Sequence, residues 1–173
     1  MEHILTECTA GPVNTIWRLT RDVWPHEEEL WPNINMGIIL RCGTLSTPEE
    51  EQSDDGNDDS DDNHQKRSNK KGADRLCQIL VSESAHLIWI LRCEQVIQER
   101  SHVTEEIKAR WHKAVNARLT DDKIMATKVK RGKTSIKLVQ STWEKALQKS
   151  SPIPRNWIYI REVLVGRRVR PPR

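Results

Sequence analysis

Residues 73–100 read ADRLCQILVSESAHLIWILRCEQVIQER, a stretch without glycine or proline in which apolar residues recur three and four positions apart. At about 100° per residue, Leu76, Ile79, Leu80, Leu87, Ile90, Leu91 and Ile97 share one side of a helix. Between Leu87 and Leu91 the helix is apolar nearly all round, which predicts enclosure by other helices. Glu83 and Glu94 interrupt the apolar face, with His86 at its edge, and buried carboxylates require partners. The predicted fold is therefore all-α, an irregular helical bundle around one long central helix at about 73–100.

Downstream, Thr104 has the side chain of an N-cap and is followed by Glu105 and Glu106, acids suited to a first turn. Ile107, Trp111, Ala114 and Val115 form the inner side of that helix, and Arg118 shares it. Arg118, then Arg110, are the candidate bases for structural buried ion pairs with Glu83 and Glu94. Thr120 or Asp121 is predicted to cap a separate short basic helix ending near Gly132. Ser135–Lys149 is amphipathic, with Ile136, Val139, Trp143 and Leu147 on one stripe, and Pro152 and Pro154 break it. NWIYIREVLVG, residues 156–166, is a last apolar segment before the basic tail 167–173, which is expected to be solvated.

Upstream of the central helix, residues 44–72 have almost no apolar side chains and run from an acidic block into a basic one. Such a stretch buries too little surface to offset its ordering entropy, so a disordered acidic insertion is predicted. A calcium-binding loop fails on register, because Gly56 in its sixth position puts Glu51 and Ser53 in the first and third. Residues 1–43 are predicted to form a helical segment. Asn14 or Thr15 caps a helix carrying Ile16, Trp17, Leu19, Val23 and Trp24, and Pro25 with Glu27, Glu28 and Glu29 starts a short second one. Met36–Gly43, MGIILRCG, is apolar but too short for periodicity to separate a helical turn from a strand. The chain thus divides into 1–43, the insertion 44–72, a helical core 73–166 and the tail 167–173.

At 173 residues the chain is long enough for one core, and its apolar content of 36% leaves part of it outside that core. Seven tryptophans, spread over every predicted helix, suit core anchors better than a single stacking platform. No charged n-region with an apolar h-region opens the chain and the longest wholly apolar run is LIWIL, so neither a signal peptide nor a membrane span is signalled. The expectation is an intracellular protein, nuclear or cytoplasmic, with reduced cysteines and no membrane partner.

Charge is distributed unevenly. Residues 1–48, 49–71 and 72–107 carry −3, −5 and −3, whereas residues 108–173 hold 18 basic against 4 acidic residues, a net +14. That last third is the candidate for contact with a polyanion. Within it, Lys123, Lys128, Lys130, Arg131, Lys133 and Lys137 present cations around Gly132, a pattern suited to phosphate contact without base reading.

Other constellations are incomplete. His3 and Cys8 have the spacing of half a zinc motif, but a tetrahedral structural site takes four ligands and no CxxC precedes them here. Glu83 and His86 sit three apart, as in di-metal carboxylate bundles, without the second copy and further glutamates that such a site needs. No phosphate-binding Gly-rich loop, Ser/His/Asp set or Cys/His pair can be assembled, so no enzymatic activity is expected.

Taken together, EHILTEC, IWRL, GIILRCG, ILVSESAHLIWILRCEQVI, EIKARWHKAVNARLTDDKIMATK, LVQSTWEKAL and EVLVG resemble the C-terminal region of fungal non-LTR retrotransposon proteins. The resemblance covers nearly the whole chain outside residues 44–72, and SESAHLIWILRCE is its most specific part. In that family the region follows reverse transcriptase and ribonuclease H-like domains and begins with a reverse-transcriptase-associated zinc-binding motif. The resemblance implies a truncated copy, a domain fragment or a degenerate copy without function. Zinc is implied only with an upstream CxxC, to which His3 and Cys8 would add two ligands. Implied partners are RNA or DNA, held non-specifically, and the upstream domains of the parent element.

Overall fold

In the computed structural model, residues 5–6, 12–46, 61–128 and 135–166 are described, with side chains of the third segment from residue 67 onward. The architecture is an irregular all-α bundle, and no strand occurs among the described residues. Five helices, α1 (Pro12–Val23), α2 (Met36–Leu40), α3 (Asp61–Ile97), α4 (Thr104–Lys128) and α5 (Ile136–Gln148), share one hydrophobic core. The central helix is α3, as the opening stretch indicated.

Helix α1 starts at Pro12, whose fixed φ and missing N–H suit a first helical position. It begins before Asn14 and Thr15, so neither is its cap. Val13, Ile16, Thr20 and Val23 form its buried stripe. Pro25 follows, and a 3-10 turn at Glu28–Leu30 replaces the second short helix. Asn35 caps α2 by accepting a hydrogen bond from the Ile38 amide at 3.0 Å, which resolves residues 36–40 as helical.

The central helix is longer than its apolar pattern. It starts at Asp61, twelve residues before Ala73, so residues 61–72 belong to α3 and not to the insertion. Gly72 is buried where α3 meets α5, and a Cβ there would overlap the backbone carbonyl of Ser141. The polar run therefore enters the bundle at the one residue small enough to pass α5. At the start of the expected insertion, Thr44 ends a 3-10 turn at Cys42–Thr44 and Leu45 packs against the core, while residues 47–60 lie outside the described residues. At the other end the apolar pattern outruns burial: Leu87, Ile88 and Leu91 are buried, but Trp89 is 42% exposed, so the enclosure is one-sided. By length and composition Arg67–Ile97 contains an 18-residue window apolar enough to cross a membrane, yet 56% of that window is buried among the other helices, as in a core helix.

Helix α4 runs unbroken through Thr120 and Asp121, contrary to the expected restart. Thr120 Oγ1 bonds back to the Asn116 carbonyl at 2.8 Å, and Leu119 and Asp122 extend the buried stripe of Ile107, Trp111 and Val115. A capping signal was overridden by tertiary contacts of the following residue. Ser135 caps α5 by accepting from the Leu138 amide at 3.2 Å. Beyond Pro152 and Pro154, Trp157, Ile158, Val163 and Val165 are buried around a 3-10 turn at Trp157–Tyr159.

A hydroxyl chain closes the junction of α1, α3 and α4. Thr20 Oγ1 lies 2.7 Å from the Ile16 carbonyl and 2.7 Å from Ser84 Oγ, which accepts from Trp111 Nε1 at 3.0 Å. Because the single Thr20 proton is directed to Ile16, Ser84 donates to Thr20, and all three buried polar groups are satisfied. Cys77 is buried nearby on α3, and burial pushes its thiol up to about 12, as befits a core cysteine.

Candidate nucleic-acid interface

The charged residues sort into those that hold the bundle together and those that face outward. A bidentate ion pair joins Arg75 of α3 to Asp122 of α4 through two hydrogen bonds of 2.6 Å. Trp143 Nε1 of α5 donates to the same carboxylate at 2.7 Å, and Asp122 is only 5% exposed. Three helices thus converge on one carboxylate. Asp122 follows the expected caps Thr120 and Asp121, but it lies three residues after Leu119 on the inward stripe, a signal that places it in the core.

The expected pairs are partly corrected. Glu94 does pair with Arg110, in a bidentate contact of 2.7 and 2.8 Å. It sits at the α3–α4 corner and is not deeply buried. Arg118, the first candidate, is exposed, because the inward stripe of α4 passes through Val115, Leu119 and Asp122 and leaves residue 118 on the outer side. Glu83 is half-buried, and no ion pair joins it to Arg118 among the described residues. His86 is exposed.

Around Glu94 the corner holds further charge. The hydrogen bonds from Arg110 keep the Glu94 carboxyl below its ordinary range, and Glu94 in turn raises Arg110. Arg100 pairs with Glu106, and the buried His102 ring lies 3.1 Å from Glu94 and 3.5 Å from Glu106. Neither ring nitrogen is aligned for a hydrogen bond. Among the described residues no group of three or more His, Cys, Asp or Glu side chains is arranged to hold a metal.

The basic set divides as well. Lys128 and Lys137 are exposed, at the end of α4 and the start of α5. Lys123 is not on the basic surface: it is 7% exposed and donates to the carbonyls of Ile160 at 2.9 Å and Val163 at 2.8 Å. Its ammonium lies 5.5 Å from the centroid of the Trp157 ring. Burial lowers its pKa to about 8, against the opposing pull of Glu162. The lysine pins the C-terminal segment to α4, because irregular backbone inside a core needs its carbonyls satisfied. Asn116 does the same at Val165, accepting from the amide at 2.7 Å and donating to the carbonyl at 3.2 Å.

Lys130, Arg131 and Lys133 lie outside the described residues, as do His3 and Cys8. Exposed cations not singled out from sequence include Lys113, Arg155 and Arg161, and Arg118, expected inside, joins them. Comparisons with protein-family descriptions, with curated proteins and with solved structures return no match to this chain.

Proposed function

We propose that this chain is a non-catalytic, retroelement-derived helical module that holds RNA or DNA through phosphates along its basic C-terminal third. The observation that carries this reading is the separation of charge by burial. Asp122, one of four acids among residues 108–173, is internalised with Arg75, and Lys123 is internalised with the carbonyls of the C-terminal segment. One charge of each sign leaves the surface, so the formal excess of the region survives folding. The exposed Lys113, Arg118, Lys128, Lys137, Arg155 and Arg161 are free of the acid-paired corner at Glu94. Phosphate contacts of this kind give affinity without base reading and fall steeply with salt. A binding isotherm repeated across salt concentrations tests the reading. Neutralising Lys128, Lys130, Arg131 and Lys133 should flatten its salt dependence.

A second reading, an interaction module that docks on the reverse transcriptase and ribonuclease H-like domains of a parent element, is favoured by one feature. Val96 and Ile97, at the end of α3, are 60% and 77% exposed and continue the line of Trp89. Among the described residues of 1–43, Trp24 is buried and Trp17 and Ile38 are half-buried, whereas Leu40 is 74% exposed. Titrating the chain with such domains tests this reading: Val96→Glu with Ile97→Glu should abolish association, and retained association would refute it.

A further inference from the structure

The sole tyrosine occupies an unusual position in this core. The 3-10 turn Trp157–Tyr159 buries Trp157 and Ile158 and leaves Tyr159 facing outward, 65% exposed. The turn is held from both ends. Trp157 donates to the Pro154 carbonyl, Tyr159 to Asn156 and Ile160 to Trp157, each at 3.0 Å. Lys123 bonds the Ile160 carbonyl from beneath. An aromatic ring on a turn held by these backbone bonds loses little conformational freedom on binding, because only two χ angles remain to be ordered. Arg155 and Arg161 flank it on the same short segment and are both exposed, with Glu162 the one acid of the segment.

We propose that Tyr159, with Arg155 and Arg161, is a stacking platform for single-stranded RNA or DNA. This rests on the nucleic-acid reading above and adds strand state to it. Every base offers a π-face, so an exposed ring with arginines four residues before and two residues after it recognises unpaired bases and their phosphates in a sequence-tolerant way. A base stacked inside a duplex does not present that face. No buried core function competes for the tyrosine, because the ring is mostly in solvent and its neighbours Trp157 and Ile158 supply the packing.

The test uses the full chain with a fluorescent oligonucleotide of mixed sequence, single-stranded and as a duplex, in both RNA and DNA form. Stacking is worth about 1–3 kcal/mol per base, so Tyr159→Ala should weaken single-strand binding roughly 5- to 150-fold and leave duplex binding unchanged. Tyr159→Phe should restore it, because the ring and not the hydroxyl is used. Arg155→Gln with Arg161→Gln should lower the single-strand salt slope by about 1.4. Equal losses on single strand and duplex, or no loss in Tyr159→Ala with an unchanged thermal melt, would overturn the platform while leaving phosphate binding intact. Absence of binding by the wild-type chain to every oligonucleotide at low salt would overturn both proposals.

Discussion

Arg75 and Asp122 lock α3 to α4 through a bidentate pair whose acceptor is shared with the Trp143 indole of α5. A carboxylate removed from water is stable only when its lone pairs are occupied, and here three donors occupy them. Removing the carboxylate strands a guanidinium and an indole N–H in the same low-dielectric space. Asp122→Ala is expected to destabilise by about 3–5 kcal/mol in urea unfolding, with no change in m-value. Replacing Arg75 and Asp122 together by Met and Leu should recover much of that loss, because the desolvation cost leaves with the pair.

Lys123 behaves as a structural cation. Lys123→Met keeps the stem and removes both hydrogen bonds to the C-terminal segment, leaving the Ile160 and Val163 carbonyls without their donor; a loss of about 1–3 kcal/mol is expected. The pH dependence has a definite sign. Its pKa of about 8 in the fold lies below the ordinary 10.5, so the unfolded chain binds more protons between those values. Stability from this group therefore rises as pH climbs through that window, by an amount on the order of 3 kcal/mol. The raised Cys77 thiol opposes it above its ordinary value of 9.0, so the difference between wild type and Lys123→Met isolates the lysine.

At the α3–α4 corner the sign is reversed. The Glu94 carboxyl is held below its ordinary 4.5 by the Arg110 hydrogen bonds, so its contribution is present above that pH and is lost as pH falls below it. Melting temperatures recorded from pH 6 downward should show a shallower acid decline in Glu94→Gln than in wild type. Parallel declines would remove Glu94 from the account of acid stability.

Gly72→Ala sets two effects against each other. Alanine is the better helix former by about 1 kcal/mol, but its Cβ would overlap the Ser141 carbonyl across the α3–α5 contact. Overpacking against backbone does not relax by a side-chain rotation, so net destabilisation of about 1–3 kcal/mol is expected in thermal melts.

The helices were legible in the sequence wherever period and punctuation agreed. The apolar stripe of α3, the helix starts near Thr104 and Ser135 and the stops at Pro25 and Pro152 all found their elements, although Thr104 is the first helical residue of α4 and not its cap. The errors came where a polar residue had two local roles. Asp122 and Lys123 follow a capping signal and belong to a basic run, yet both turn inward because partners distant in sequence, Arg75 and the carbonyls near Ile160, satisfy them. Local pattern carries no information about such partners. Arg118 failed for the complementary reason: an arginine near the edge of an apolar stripe reads as inward, but the buried stripe runs through Val115, Leu119 and Asp122 and leaves it in solvent. The exposed Tyr159 was hidden within an apolar segment, and only the turn that buries Trp157 and Ile158 separates its direction from theirs.

The most direct measurement is the affinity of the full chain for an oligonucleotide as a function of salt, for the wild type and for the variant neutralised at Lys128, Lys130, Arg131 and Lys133. The expected result is a linear fall of log affinity with log salt, less steep in the variant by about 3.6 on a duplex, roughly 0.9 for each phosphate contact removed. Binding in the variant with undiminished affinity and an unchanged slope would contradict the assignment of phosphate contact to the basic third, and so would a wild-type chain that shows no affinity at low salt.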